Sequence, residues 1–149
     1  MTDSIWFGTP TVAAINAVQA RTIDAQLGIE VTEIGPDYLR GTMPADYRTF
    51  QPTGRIHGGA NVVLAESLGS IAANLTVDTS RYACFGQEVN ANHLRGVSSG
   101  RVTGTARPVH IGRSSQVWEI RIEDERGKLS CISRLTMAVV AGGNVGYQY

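Results

Sequence analysis

The spacing of apolar residues along this chain switches between helical and strand periods, and the switches mark its elements. Val12, Ala14, Ile15 and Val18 give one helical face behind Thr9 and Pro10, so a short peripheral helix is expected with Thr9 as its cap and Pro10 at its first position. Over 27–42 two strand-like runs, G-I-E-V-T-E-I and Y-L-R-G-T-M, flank the turn signal Gly35-Pro36-Asp37, which predicts a hairpin. Met43-Pro44 ends its second strand, and Pro52, Gly54 and their polar neighbours mark a loop over 45–55. Residues 56–77 are apolar nearly all round, the pattern of a helix buried in protein. Asn61, Glu66, Ser67, Ser70 and Asn74 interrupt that run and no Lys/Arg cluster flanks it, so a bilayer span is not expected. After Asp78-Thr79-Ser80 strand patterns follow at 83–95, 100–111, 116–123 and 129–140. The third alternates cleanly, with Trp118, Ile120 and Ile122 on one face, and Glu125-Arg126-Gly127-Lys128 reads as the tight turn into the last. The order predicts an α+β domain in which an antiparallel sheet covers one main helix. A helical segment over 1–25 precedes it, and a glycine-rich, flexible tail over 141–149 follows.

At 149 residues the chain suits one domain over 1–149, with a core that needs no metal or disulfide staple. Thirteen basic and thirteen acidic residues cancel, which argues against nucleic acid and membrane surfaces as partners; an anionic ligand would have to be met by a local cluster. Cys84 and Cys131 form no C-x-x-C pair and read as buried free thiols, as expected in a reducing cytoplasm. The start, M-T-D-S-I-W-F-G-T-P, lacks the basic and continuous apolar regions of a signal peptide. No His/Asp/Glu/Cys cluster shows ligand spacing, so no metal is expected.

Chemistry enters with Glu66, the only carboxylate in the apolar run. Placing an unpartnered carboxylate in apolar surroundings costs several kcal/mol, so such a group is exposed, hydrogen-bonded, or kept for its basicity. The run opens on His57-Gly58-Gly59, a composition suited to a helix N-terminus that a ligand must approach. His57 has two readings, a ring that caps the helix or a group at a site, and Gln51 is equally a loop amide or a donor. Ser70 follows Glu66 by one helical turn and shares its face, whereas Gly69, Ala72 and Ala73 are explained by close packing. His93 and Arg95 alternate on one strand and so face one side, where they can meet phosphates or simply end a solvated strand. Arg113-Ser114-Ser115 offers a guanidinium and two hydroxyls at a turn; Trp6 and Trp118 read as core or interface packing.

The run H-G-G-A-N-V-V-L-A-E-S-L-G-S-I-A-A at 57–73, with Gln51-Pro52 before it and E-V-N-A-N-H-L-R at 88–95 after it, resembles the acyl-CoA thioesterases of the hotdog superfamily. The likeness covers about 27–140 and is greatest to the PaaI-like, Arthrobacter-type 4-hydroxybenzoyl-CoA branch, with the enterobactin-pathway proofreading and 1,4-dihydroxy-2-naphthoyl-CoA thioesterases. It implies the hotdog fold, an antiparallel β-sheet wrapped around one long central helix, and hydrolysis of an acyl-CoA, aromatic in its acyl part. By matching position it implies Glu66 as the catalytic carboxylate, acting as base or nucleophile. Gln51, His57 and the Gly58 N–H would lie at the thioester carbonyl, and Ser70 near the water or acyl group. Coenzyme A, part of the substrate rather than a cofactor, would be met by His93, Arg95, Arg113, Ser114 and Ser115.

From Gly58 to Glu66 an α-helix rises about 12 Å, so Glu66 cannot sit beside a thioester held at its own helix N-terminus. A homodimer with composite sites resolves this, and the resemblance implies the same, usually paired again as a homotetramer. Two other functions fit the fold: a hotdog enoyl-CoA hydratase or dehydratase, in which the L-A-E-S-L-G-S run is not expected, and a non-catalytic acyl-CoA-binding protein.

Overall fold

Thr-Pro-Thr at 9–11 offers two capping hydroxyls. In the computed structural model, which describes residues 3–142, Thr11 rather than Thr9 caps α1 (Val12–Gln19), accepting from the Ala14 N–H at 3.2 Å. Pro10 therefore lies in the extended lead-in and not in the helix. Ile15 on the predicted face is fully buried. A second helix, α2 (Ile23–Leu27), follows between the Thr22 cap and Gly28 at φ 72°. A single turn is too short to register as a period, which is why the apolar pattern did not reveal it.

The hairpin follows as β1 (Glu30–Ile34) and β2 (Leu39–Pro44), closed by the Gly35 N–H donating to the Tyr38 carbonyl at 2.9 Å. After the loop comes α3 (Gly58–Leu75), and then β3 (Tyr82–His93), β4 (Arg101–Ile111), β5 (Ser115–Glu123) and β6 (Leu129–Ala141). The six strands form one antiparallel sheet in the order β1-β2-β4-β5-β6-β3, so the strand that follows the helix in sequence ends at the far edge. Asp124 holds the last turn, its Oδ1 accepting from the Arg126 and Lys128 N–H groups. Residues 143–149 of the expected tail lie outside the described residues.

α3 lies against the sheet and supplies Leu64, Leu68, Ile71 and Leu75 to a core completed by Trp118, Ile120, Ile122 and Leu135 from the strands. Glycines allow the approach: a Cβ on Gly41 or Gly104 would stand 2.8 or 2.7 Å from Leu68, and one on Gly69 would stand 2.6 Å from Leu135. Trp6 stacks on buried Trp118 with ring centroids 6.3 Å apart, which makes both packing residues. Both cysteines are buried and free, and burial pushes the Cys84 thiol up to about 11. Among the described residues no helix is long and apolar enough to cross a membrane.

The two sheet edges are finished differently. β1 is short and bulged between Val31 and Glu33, and the Asn16 side chain of α1 occupies its outer edge, donating to the Val31 carbonyl at 2.8 Å and accepting from its N–H at 2.9 Å. β3 is twelve residues long, has no strand on its outer side among the described residues, and is exposed from Phe85 to Glu88.

Candidate active site

The loop before α3 is pinned at both ends. Thr49 donates its hydroxyl to the Pro44 carbonyl at 2.7 Å, and the N–H groups of His57 and Ile56 donate to Thr49 and Val97 at 2.7 and 2.9 Å. Gln51 is held within it by its own backbone, and its side-chain Oε1 accepts from the Thr53 N–H, which leaves the Nε2 hydrogens free to donate outward. His57 is the N-cap of α3, its Nδ1 accepting from the Gly59 N–H at 2.8 Å. The capping reading of His57 is thus satisfied by the geometry, and a neutral ring so used carries its proton on Nε2. The Gly58 N–H has no partner among the described residues; it is an orphan donor at the positive end of an 18-residue helix.

That donor opens into a cavity of about 300 Å³ lined by Gln51, Gly58, Asn61, His93, Arg95 and Val97. β3 ends at His93, and the N–H groups of Leu94 and Arg95 both turn onto the Ser130 carbonyl, so Arg95 lies beyond the strand that the alternation placed it on. It nevertheless reaches the same cavity as His93. Asn61, to which the sequence assigned no role, is buried here: its Nδ2 lies 3.3 Å from His93 Nδ1, and its Oδ1 is the one buried side-chain polar atom without a partner among the described residues. Gly58 must be small at this place, because a Cβ would stand 2.8 Å from His93 Nε2.

Glu66 is elsewhere. It is half-buried and lines a second cavity of about 240 Å³ with Ser67, Ser70 and Ile71 of α3 and with Val18 and Asp24 of the N-terminal helices. Its carboxylate lies against Gly86, where a Cβ would stand 2.5 Å from Oε1. Gly86 adjoins the bulge that interrupts β3 between Gly86 and Glu88. A glycine inside a strand pattern signals a bulge or a close approach, so this residue was within reach of sequence reasoning. Ser70 shares the cavity as its helical spacing requires, its hydroxyl turned to Met137 Sδ at 3.7 Å.

Asp24 had no sequence signal. It is 3% exposed, and its Oδ1 accepts from the Ser67 hydroxyl at 2.5 Å. Burial without a cation holds its carboxyl above the ordinary range, although the Ser67 bond pulls the other way. Arg113, Ser114 and Ser115 form the β4–β5 turn, where Ser115 aligns with Ala138 of β6. His93 aligns with Cys131 of the same strand. From Cys131 to Ala138 a strand rises about 23 Å, so one chain does not bring its two groups of candidate phosphate contacts together.

One chain therefore carries free donors in one cavity and a carboxylate in another, on a fold that wraps an antiparallel sheet around a central helix. A model of the Thioesterase superfamily matches residues 53–131, from the end of the Gln51 loop into β6, and the chain belongs to that family. It is 48% identical to the proofreading thioesterase EntH of Cronobacter turicensis, over 91% of this chain and 98% of that one. It is 47% identical to the 1,4-dihydroxy-2-naphthoyl-CoA hydrolase of Escherichia coli, over 91% and 99%. Its fold superposes on a crystal structure of a mutant thioesterase from Pseudomonas aeruginosa with a TM-score of 0.92 at 55% identity, covering 93% of this chain and all of that one. The protein is a thioester hydrolase of the hotdog fold.

Proposed function

We propose that the protein hydrolyses an aromatic acyl-CoA, of hydroxybenzoyl or dihydroxynaphthoyl type, at a site shared by two subunits. The observation that carries this reading is the position of Glu66 against Gly86 on the uncovered edge strand, in a different cavity from the Gly58 donor. An open edge of that length is a template for a second strand, and in a two-fold dimer the strand it pairs with is its own copy. Antiparallel pairing centred between Val89 and Asn90 sets Gly86 opposite His93 of the partner subunit, and so sets Glu66 against the partner's donor cavity. The same rotation brings the Arg113–Ser115 turn level with His93 and Arg95 of the partner subunit, which joins the two phosphate-binding candidates across the interface. A further pairing of dimers gives the homotetramer. The name of one relative, a 1,4-dihydroxy-2-naphthoyl-CoA hydrolase, supports the aromatic acyl class.

In this site the Gly58 N–H and the Gln51 amide donate to the thioester oxygen. His57 caps the helix and keeps the Gly58 N–H exposed to the substrate. Glu66 of the other subunit takes a proton from water as it adds to the carbonyl carbon, or adds itself and is then released by water. Negative charge collects on the oxygen held by the two donors. The C–S bond then breaks, the thiolate leaves and is protonated, and free acid and CoA result. Ser70 lies on the Glu66 side, next to the water or the acyl group.

Complementation tests the shared site. Gln51→Ala removes the side-chain donor and adds no atom to the crowded contact of Gly58 with His93, so it disables the donor side without filling the cavity. Gln51→Ala and Glu66→Gln should each lose nearly all turnover alone. Co-expressed, they should recover about one quarter of wild-type turnover, because half of the dimers are mixed and each mixed dimer has one intact site. No recovery in isolated mixed dimers would rule out a site built from two subunits.

A further inference from the structure

The Glu66 cavity contains a second carboxyl group that the hydrolysis does not use. Its apolar walls are Val18, Ile23 and Ile71, and most of its polar side chains are already engaged. Asn74 is committed on both sides, donating to the Ser70 and Cys84 carbonyls and accepting from the Cys84 N–H. The Ser67 hydroxyl is committed to Asp24 and the Ser70 hydroxyl faces a sulfur. Asp24 itself uses only one oxygen: Oδ1 takes the Ser67 bond, while Oδ2 has no partner among the described residues and is not sealed off from solvent. No cation pairs with Asp24 among the described residues. An apolar side chain of similar shape would forgo only the bond from the half-buried Ser67 hydroxyl, and a neutral hydroxyl or amide could accept that bond without the cost of a buried acid, so the Ser67 bond alone does not explain the carboxyl group.

We infer that Asp24 is a specificity-determining residue, whose free oxygen accepts a hydrogen bond from a hydroxyl or amino group on the acyl part of the substrate. This rests on the thioesterase reading, with Glu66 at the reacting carbon. Asp24 adjoins Ser67, the neighbour of Glu66, and approaches the cavity from the N-terminal helices. An acyl group whose thioester carbon meets Glu66 extends between those helices and α3, past Ile71, and brings a ring substituent toward Asp24. The Ser67 bond fixes the carboxyl group from behind and leaves its other oxygen directed by the same geometry. A site built to bond a substrate hydroxyl discriminates strongly against the analogue without it, because the buried acceptor is then left unpaired. A plain aromatic ring would desolvate Oδ2 and return nothing.

The test compares benzoyl-CoA with the three hydroxybenzoyl-CoA isomers on wild type, Asp24→Val, Asp24→Asn and Glu66→Gln, with kcat and KM separated and melting temperature recorded. Wild type should favour at least one hydroxylated ester over benzoyl-CoA by about tenfold or more in kcat/KM. Asp24→Val should reverse that preference, the hydroxylated ester losing and the plain ester gaining, at a melting temperature within a few degrees of wild type. Asp24→Asn, which keeps shape and one acceptor, should fall between. Equal losses on all esters with a lowered melting temperature would make Asp24 a structural tie between α2 and α3 and overturn the inference. A wild-type enzyme that hydrolyses all four esters alike, with Glu66 required, would overturn it while leaving the thioesterase reading intact. No Glu66-dependent thiol release from any of them would overturn both.

Discussion

The first turn of α3 and its middle turns belong to one helix packed on one sheet, yet their polar groups are opposites. Around Gly58 the helix presents donors: an orphan N–H, a Gln51 amide already fixed by Thr53, and a histidine cap that uses up the neighbouring N–H. Around Glu66 it presents acceptors: the Glu66 carboxylate beside Gly86 and the Asp24 carboxyl behind Ser67. Thioester hydrolysis needs both kinds of group at one carbon, and a straight helix keeps them apart by about 12 Å. The difference teaches that each subunit is chemically half-equipped at each cavity, which is why we place the reaction at an interface.

Removing the acceptor should have the largest effect. Glu66→Gln keeps shape and loses basicity, and kcat should fall by roughly 10³-fold or more while CoA binding measured by calorimetry stays within a factor of a few. Full turnover in that variant would end the mechanism. On the donor side Gln51→Ala should lower kcat by about 10²–10³-fold, the cost of one oxyanion donor, with little change in helical circular dichroism. A smaller effect should follow from moving the acceptor without altering it. Gly86→Ala places a methyl 2.5 Å from Glu66 Oε1, so the carboxylate must shift; kcat should drop by about 10- to 100-fold at nearly constant KM.

The smallest effect concerns stability. Burial raises the Asp24 carboxyl above its usual 3.8, so the folded state favours the protonated form. Its contribution is full below the unfolded value and is lost as pH rises through the raised folded value. Asp24→Asn removes that loss, so its melting temperature should exceed that of wild type by a few degrees at pH 7 and match it near pH 4. A constant difference across that range would mean that Asp24 does not titrate on unfolding as its burial requires.

Much of this arrangement was legible in the chain. The alternation over 116–123 placed Trp118, Ile120 and Ile122 in the core, where all three are fully buried, and the all-round apolar run was the central helix. The H-G-G start and the lone Glu66 singled out the places where the structure has an orphan N–H and a half-buried carboxylate, and the spacing between them already required that they be apart. Periodicity works for such features because burial on one face of an element is a local property of sequence. The sequence put the cap at Thr9, two residues early, because Thr9 and Thr11 are chemically equal; the helix starts after Thr11, with Ile15 docked in the core.

What tertiary structure alone decided is which distant residues share a cavity. Asp24 meets Ser67 through the packing of a one-turn helix on α3, Asn61 meets His93 where β3 ends, and Gly86 meets Glu66 because β3 crosses to the far edge of the sheet. None of these pairs follows from period or composition, since each joins elements whose relative positions depend on the strand order as a whole. The sequence by itself determined the elements, the buried faces and the chemical groups at hand; the order β1-β2-β4-β5-β6-β3 determined which groups face each other and which edge stays open.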